Sequence, residues 1–370
     1  MEHYLDNAAT TRVCPEAAAE AVRVMTEEYG NPSSTHTKGR SAKKILDQSR
    51  LTVADALGAR PEEIVFTSCG SESDNWALLS GAEAGSRLGR HIISSLVEHD
   101  AVRKSLDLLE SRGFTVTRLK PDATGRIPVE AVAEALREDT ILISLMMVNN
   151  ETGAVTDISS VAGLLKRSGS RALLHTDAVQ AFRKIPFRAR TLGADLISVS
   201  GHKIHAPKGI GALYIRSGLK LKPLIVGGSQ ESERRAGTEP LPQIAAFAEA
   251  CRQDPCLDHI RSMKAFAVEK LTASVPELTY LDTDAPHILS VSMPGWRSEV
   301  LMNFLEARSI FVSKSSACKQ GRRSHVLEAL GMHPSAIDGA LRIGFSRYTV
   351  KEDILALAEG LAEARGLAHR

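Results

Sequence analysis

Short apolar, β-branched runs alternate along the first two thirds of this chain with longer stretches whose apolar positions recur every three or four residues. The runs at Val65, 91–94, 115–119, 141–147, 172–175, 196–199 and 212–215 predict seven strands. Between them the longer period predicts helices, since only a helix brings residues three and four apart onto one face. A helix over 15–29 begins with Pro15, whose missing N–H costs nothing in the first turn, and has Gly30 past its end. A second, over 41–57, stops at Gly58. Strand and helix in alternation predict a mostly parallel sheet covered by helices, an α/β fold. From about Asp254 the pattern changes to a long helix, a strand over 288–293, a helix near 299–307, strands over 310–313 and 342–346, and a final helix from near Lys351. That order predicts a smaller α+β domain.

Composition narrows the functional classes. The 370 residues suffice for a large core and more than one domain. A formal net charge of +2 gives no bulk electrostatic reason to expect a nucleic-acid or membrane partner. No apolar run approaches a bilayer span and the first residues lack the basic-then-apolar layout of a signal peptide, so the expected location is the cytosol. Five cysteines, an odd number at irregular spacing, fit reduced thiols, and no C-x-x-C pair suggests zinc.

Three motifs carry candidate chemistry. Ser200-Gly201-His202-Lys203 follows an apolar run and precedes the glycine-rich turn at 207–211. A lysine there, flanked by hydroxyl and imidazole, suits Schiff-base formation with a cofactor aldehyde, and burial would lower its pKa; alone, it reads far more readily as a solvated loop charge, as most such lysines are. Thr67-Ser68-Cys69-Gly70-Ser71-Glu72-Ser73 reads as strand, tight loop, helix. Its free N–H groups and the Ser68 and Ser71 hydroxyls would favour a phosphate, although an ordinary N-cap with a glycine turn fits the same letters. His175-Thr176-Asp177-Ala178-Val179-Gln180 ends another apolar run, where Asp177 could face a protonated heterocyclic nitrogen or cap a turn. Together, an amine, a phosphate cradle and a carboxylate at strand ends describe a pyridoxal phosphate site. The G-x-x-x-x-G-K-[ST] and G-x-G-x-x-G nucleotide fingerprints are missing from the corresponding places.

These motifs, with Tyr4-Leu5-Asp6-Asn7-Ala8-Ala9-Thr10-Thr11, Gly30-Asn31-Pro32-Ser33-Ser34, Glu98-His99, Val148-Asn149-Asn150-Glu151-Thr152-Gly153, Arg234-Arg235-Ala236-Gly237-Thr238, Ser316-Ala317-Cys318 and Leu341-Arg342-Ile343, occur in one order along nearly the whole chain. In that order the sequence resembles the cysteine desulfurases of the NifS/IscS type, class V aminotransferases of PLP fold type I. The resemblance implies a large cofactor-binding domain over 15–253 and a small domain from 1–14 and 254–370, in a homodimer. It implies that Lys203 holds pyridoxal 5'-phosphate and later moves the Cα proton, that Asp177 pairs with the pyridine nitrogen, that Gln180 bonds the phenolic oxygen and that His99 stacks on the ring. Gly70, Ser71, Ser200 and His202, with Thr238 from a second subunit, would hold the phosphate. Arg342 would grip the substrate carboxylate with its planar fork, and Asn150 would sit near substrate and cofactor, with Asn7 and Asn31 lining the pocket. For these asparagines a turn role fits as well.

The implied reaction converts L-cysteine to L-alanine and leaves the sulfur as a persulfide on Cys318, for delivery to an iron–sulfur scaffold or a tRNA-thiolation enzyme. Lys314, Lys319, Arg322 and Arg323 crowd that segment and would favour the thiolate, although such a charge run is usually just a solvated loop. Cys14, Cys251 and Cys256 read as structural, and Cys69 as packing. The segment departs from the family pattern: Ser313-Lys314-Ser315-Ser316-Ala317-Cys318 lacks the usual glycine, the stretch before Ser324 is short, and Ser232 stands where relatives carry arginine. The tail after the last helix is also shorter than in relatives, which weakens the expectation of an iron–sulfur scaffold as partner. A selenocysteine lyase, a transaminase or another class V enzyme, or a non-catalytic sulfur-relay protein, are the competing readings. Cys318 argues against simple transamination, which needs no second nucleophile.

Overall fold

The computed structural model describes residues 1–281, 283–314 and 323–368. Thirteen strands are present among them: β1 (His3–Tyr4), β2 (Ile64–Thr67), β3 (His91–Ser95), β4 (Thr115–Leu119), β5 (Thr140–Ser144), β6 (Leu173–Asp177), β7 (Leu196–Ser200), β8 (Gly211–Ile215), β9 (Thr279–Leu281), β10 (Ile288–Ser292), β11 (Ile310–Phe311), β12 (Ser313–Lys314) and β13 (Ala340–Gly344). The seven expected strands of the first part form one sheet in the order β2-β8-β7-β6-β5-β3-β4. Pairs from β4 through β7 are parallel, while β8 lies antiparallel to both β2 and β7. Consequently β2 runs the same way as β7, and the C-terminal ends of β2, β6 and β7 share one edge.

Helices cover both faces, which is why these strands are apolar at consecutive positions instead of alternating. Neighbouring residues divide between two cores: Ile93, Ile143 and Ile197 pack with helices Pro15–Thr26, Thr37–Leu57 and Leu241–Arg252, through Val24, Val53 and Phe247. Ile92 and Leu142 face the other way, against Leu78 of helix Gly70–Gly85 and Leu106 of helix Asp100–Ser111. The edge strand β4 carries Thr115, Thr117 and Arg118 at half-exposed or exposed positions, as an edge requires.

The later segment forms a four-stranded antiparallel sheet, β12-β13-β10-β9, with its own core of Leu271, Leu289, Val291, Leu305, Leu357 and Leu361. Leu5 of the N-terminal arm belongs to that core. Its backbone accepts from Gly344 N–H at 2.6 Å, and β1 pairs in parallel with β11. Gly344 must lack a side chain here, because a Cβ would lie 2.5 Å from the Ala8 nitrogen.

Several boundaries differ from the sequence expectation. The strand expected over 310–313 splits at Val312, since β11 pairs with the arm and β12 with β13. The strand expected over 342–346 is β13, two residues earlier, which centres Arg342 within it. The helix expected from residue 41 begins at Thr37, where the His36 ring accepts from Gly39 N–H, and the helix from Pro15 stops at Thr26. The short strands β1 and β9 carry too few residues for a periodic signal.

Candidate active site

The shared edge of β2, β6 and β7 delivers three sequence motifs to one place, under the N-terminal arm. Beyond β7 the chain makes a single 3-10 turn, Gly201–Lys203, which aims Lys203 toward the arm. Its Nζ donates to the carbonyls of Ala8 and Ala9, both at 2.7 Å. Gln180 Nε2 donates to the same Ala8 oxygen at 2.8 Å, and its Oε1 faces His287 Nε2 at 3.2 Å. The His202 ring contacts Thr10 Oγ1 at 3.2 Å and its carbonyl accepts from Thr11 N–H. Burial, reinforced by the Arg342 charge, pulls the Lys203 amine down to about 7. The His202 imidazole falls to about 4, chiefly by burial with the Lys203 charge second.

Asp177 closes β6, is 6% exposed and accepts from Val179 N–H at 2.9 Å. Burial raises its pKa, and the charges of His99 and Lys203 oppose that rise. His99 is exposed at the N-cap of helix Asp100–Ser111, where its ring accepts from Ala101 N–H. Gly70 opens helix Gly70–Gly85, and a Cβ on it would meet Val179 Cγ2 at 2.7 Å. Cys69 precedes that helix without a capping side chain, and Ser71 lies exposed in its first turn. Ser200 Oγ is buried nearby with no hydrogen-bond partner, its Cβ 3.6 Å from the place a Gly70 Cβ would take. The unpartnered Ser200 hydroxyl and the helix start without a capping side chain are chemically suited to an anionic group.

Arg342 is 2% exposed. Its Nη1 donates to the Asn150 carbonyl at 2.9 Å, and its Nη2 donates to Asp6 Oδ1 at 3.1 Å and to Ser313 Oγ at 3.0 Å. Ser313 Oγ also donates to Asp6 Oδ1 in a short contact. Asn150 thus reaches the cluster through its backbone. Asn7 is buried, and its Nδ2 donates to the Gly344 and Tyr4 carbonyls, fastening the arm to β13. Asn31 is exposed and accepts from Ser33 N–H in its own turn; none of its contacts links it to Lys203 or Arg342. Thr238 lies exposed beyond the turn at 229–235.

Cys318, Lys319 and Arg322 lie outside the described residues. Of the other two cations expected to crowd the thiol, Lys314 bonds Glu299 at 3.0 Å and Arg323 bonds Asp338 bidentately at 2.7 and 2.8 Å. Their charges are therefore compensated. Cys14 and Cys251 are buried, and Cys256 is half-buried at the start of helix Leu257–Ser274. Cys69 is half-buried too, 3.7 Å from Ser68 Oγ. Among the described residues no cluster of His, Cys, Asp or Glu is built to hold a metal ion, and no helix is long and apolar enough to cross a membrane.

Sequence reasoning missed a layer of buried ionisable groups beneath Asp177. Asp74 is 1% exposed, with one oxygen 3.6 Å from His175 Nε2 and its pKa raised by burial and by Asp177. Burial drops His175 to about 3, so a neutral ring bridges Ser144 Oγ at 2.8 Å and Ser198 Oγ at 3.0 Å. Glu98 is pushed up to about 8 by burial, and Lys184, buried without a partner, down to about 7. Glu98 stood beside His99 in a quoted motif, and Asp6 beside Asn7. Asp74 and Lys184 had no local signal, because their surroundings come from distant strands.

The aminotransferase class-V family model matches residues 3–357. The putative cysteine desulfurase IscS 1 of Bacillus subtilis (strain 168) is 39% identical over 371 residues, covering 97% of each chain. Among solved structures, a NifS-like protein superposes with a TM-score of 0.93 at 35% identity, covering 99% of this chain and all of that one. A structure titled SspA in complex with cysteine reaches 0.82 at 34% identity over 95% of this chain and all of its own. With the amine and carboxylate at one edge of the larger sheet and the arginine on β13 of the smaller one, and agreement over nearly the whole length, the chain belongs to the class-V aminotransferase family, in its cysteine desulfurase branch.

Proposed function

We propose that the protein is a pyridoxal phosphate-dependent cysteine desulfurase, converting L-cysteine to L-alanine while moving the sulfur onto Cys318. The observation that carries this reading is the convergence of Lys203, with an amine near 7, the buried Asp177 and the buried Arg342 around the N-terminal arm. Residues present at the edge fit the cofactor. The unpartnered Ser200 Oγ, the uncapped start of helix Gly70–Gly85 and the bare Gly70 suit a phosphate, joined by Ser71, His202 and Thr238. Asp177, Gln180, His99 and Asn150 would hold the ring, and Lys203 its aldehyde carbon. When bound, pyridoxal phosphate supplies an electron sink for bonds broken at the amino acid.

The chain's own groups do the rest. Arg342 binds the substrate carboxylate and so orients Cα toward Lys203. The Lys203 amine, neutral in part at pH 7, takes the Cα proton. The Cys318 thiolate attacks the substrate sulfur, the carbon–sulfur bond breaks, and the sulfur stays on Cys318 as a persulfide. The carbon fragment takes up protons and leaves as alanine, so cysteine plus thiol yields alanine plus persulfide with no outside oxidant. An acceptor protein, an iron–sulfur scaffold or a tRNA-thiolation enzyme, then takes the sulfur. A homodimer fits Thr238 reaching a second subunit's phosphate, and the exposed run Leu224, Ile225 and Val226 close by suits burial against a second copy. The two largest cores fit a division into 15–253 and 1–14 with 254–370, with Cys14, Ala285 and Val326 packing across it into the larger one.

Incubation with L-cysteine and a reductant tests the reading. Equimolar alanine and sulfide are expected, both falling at least about a hundredfold in Lys203→Ala and in Cys318→Ala. Full turnover in Cys318→Ala would remove the persulfide step.

A further inference from the structure

The Arg342 guanidinium presents two forks to a carboxylate, one from Nε and Nη2 and one from Nη1 and Nη2, and Nη2 belongs to both. Nη2 donates to Asp6 Oδ1 at 3.1 Å and to Ser313 Oγ at 3.0 Å, and because Ser313 Oγ also bonds Asp6 Oδ1 the two acceptors sit together on one side of it. Nε is buried and has no partner, so the side-on fork is half open. A carboxylate entering either fork uses Nη2 and so comes to lie beside the Asp6 carboxylate. The incoming group is an anion, and a second carboxylate on one guanidinium would face Asp6 at close range. Asp6 can leave: its side chain is 24% exposed against 2% for Arg342, and it sits in the arm, beside Gly344, with water within reach. The neutral Ser313 has no such reason to move.

We propose that Asp6 is an internal stand-in for the substrate carboxylate, occupying Arg342 in the resting enzyme and exchanging with the amino acid on binding. This rests on the reading of Arg342 as the carboxylate grip. Asp6 is then a positioning residue that sets affinity by competition. It keeps a buried guanidinium compensated, and it excludes carboxylate ligands too weak to displace it. The apparent affinity for an amino acid is reduced by the fraction of molecules in which Asp6 holds the fork.

The test uses holoenzyme titrated with L-alanine and with ethylamine, which is alanine without its carboxylate, followed by the absorbance of the bound cofactor. Asp6→Asn removes the competing charge, so L-alanine should bind at least about fivefold more tightly, with ethylamine unchanged. Equal tightening of both ligands would trace the effect to the neighbouring Lys203 amine and overturn the exchange. Unchanged or weaker L-alanine binding in Asp6→Asn, with binding lost in Arg342→Met, would mean that Asp6 only orients the arginine. That outcome overturns the exchange and leaves the carboxylate grip intact. Unchanged alanine binding in Arg342→Met would overturn the grip itself. A crystal structure of the wild-type holoenzyme with L-alanine needs no variant. Exchange requires the alanine carboxylate on Nη2 with Asp6 beyond about 4 Å, and an undisturbed Asp6–Arg342 pair overturns it.

Discussion

Single residues in this protein are set by what surrounds them more than by their type. Glu98 accepts from Ser95 Oγ at 2.5 Å and from Met146 N–H at 3.1 Å through one oxygen, while the other, buried, has no partner. Burial therefore wins over hydrogen bonding, and the carboxyl rises from 4.5 to about 8. A carboxyl raised on folding binds its proton more tightly in the native state. Its contribution is complete below the unfolded value and is lost as pH climbs from about 4.5 to about 8. Glu98→Gln fixes the neutral form. Relative to wild type, the variant should gain thermal stability progressively between about pH 5 and pH 8 and then hold that gain. Parallel melting curves across that range would mean that Glu98 titrates as an ordinary carboxyl. Nothing in the string Val97-Glu98-His99 announces this, because the enclosing atoms come from strands and loops far along the chain.

At the scale of elements, the turn at 229–235 is held in an unfavourable backbone form by ionic anchors. Glu231, Ser232 and Glu233 have φ of 50°, 57° and 65°, the left-handed region that costs a non-glycine residue about 1–2 kcal/mol. The buried Glu231 carboxylate takes both Arg50 nitrogens at 2.7 Å and the Phe66 N–H at 3.0 Å, tying the turn to β2. Arg235 grips Glu72 in the first turn of helix Gly70–Gly85 at 2.8 and 3.1 Å. Two anchors thus fix the segment leading to Thr238 to β2 and to the first turn of helix Gly70–Gly85 of its own chain. Glu231→Ala should destabilise by about 3 kcal/mol by leaving Arg50 uncompensated. Ser232→Gly should stabilise by about 0.5–1 kcal/mol, the relieved strain less the glycine entropy. Thermal midpoints measure both, and a destabilising Ser232→Gly would show that the turn is unstrained. The sequence comparison marked position 232 as a departure, but the strain there depends on where Arg50 and β2 hold the neighbouring Glu231.

For the whole molecule, the N-terminal arm joins the two cores. Leu5 packs in the smaller one, Asn7 and Gly344 fasten arm to β13, and Ala8 and Ala9 receive Lys203 from the larger sheet. The exposed run beside Thr238 adds a prediction about assembly: Val226, 85% exposed, becomes buried in the proposed dimer. Val226→Asp should sediment as a monomer and retain cofactor poorly, while a dimer of unchanged affinity would place the subunit contact elsewhere. By itself the sequence determined the alternating elements, the seven-stranded sheet and the motifs at its strand ends, since periodicity, glycine breaks and short apolar runs act locally. It also singled out Lys203, Asp177, Gln180, Ser200 and Arg342, whose motifs lie at or inside regular elements. Only the tertiary structure decided that Arg342 is already occupied by Asp6, that Asn7 serves the arm and Asn31 its own turn, and that Asp74, Glu98 and Lys184 lie in a buried charged layer. Asn31 apart, those outcomes depend on burial and on partners distant along the chain, and desolvation is a property of the assembled fold that no local stretch of sequence contains.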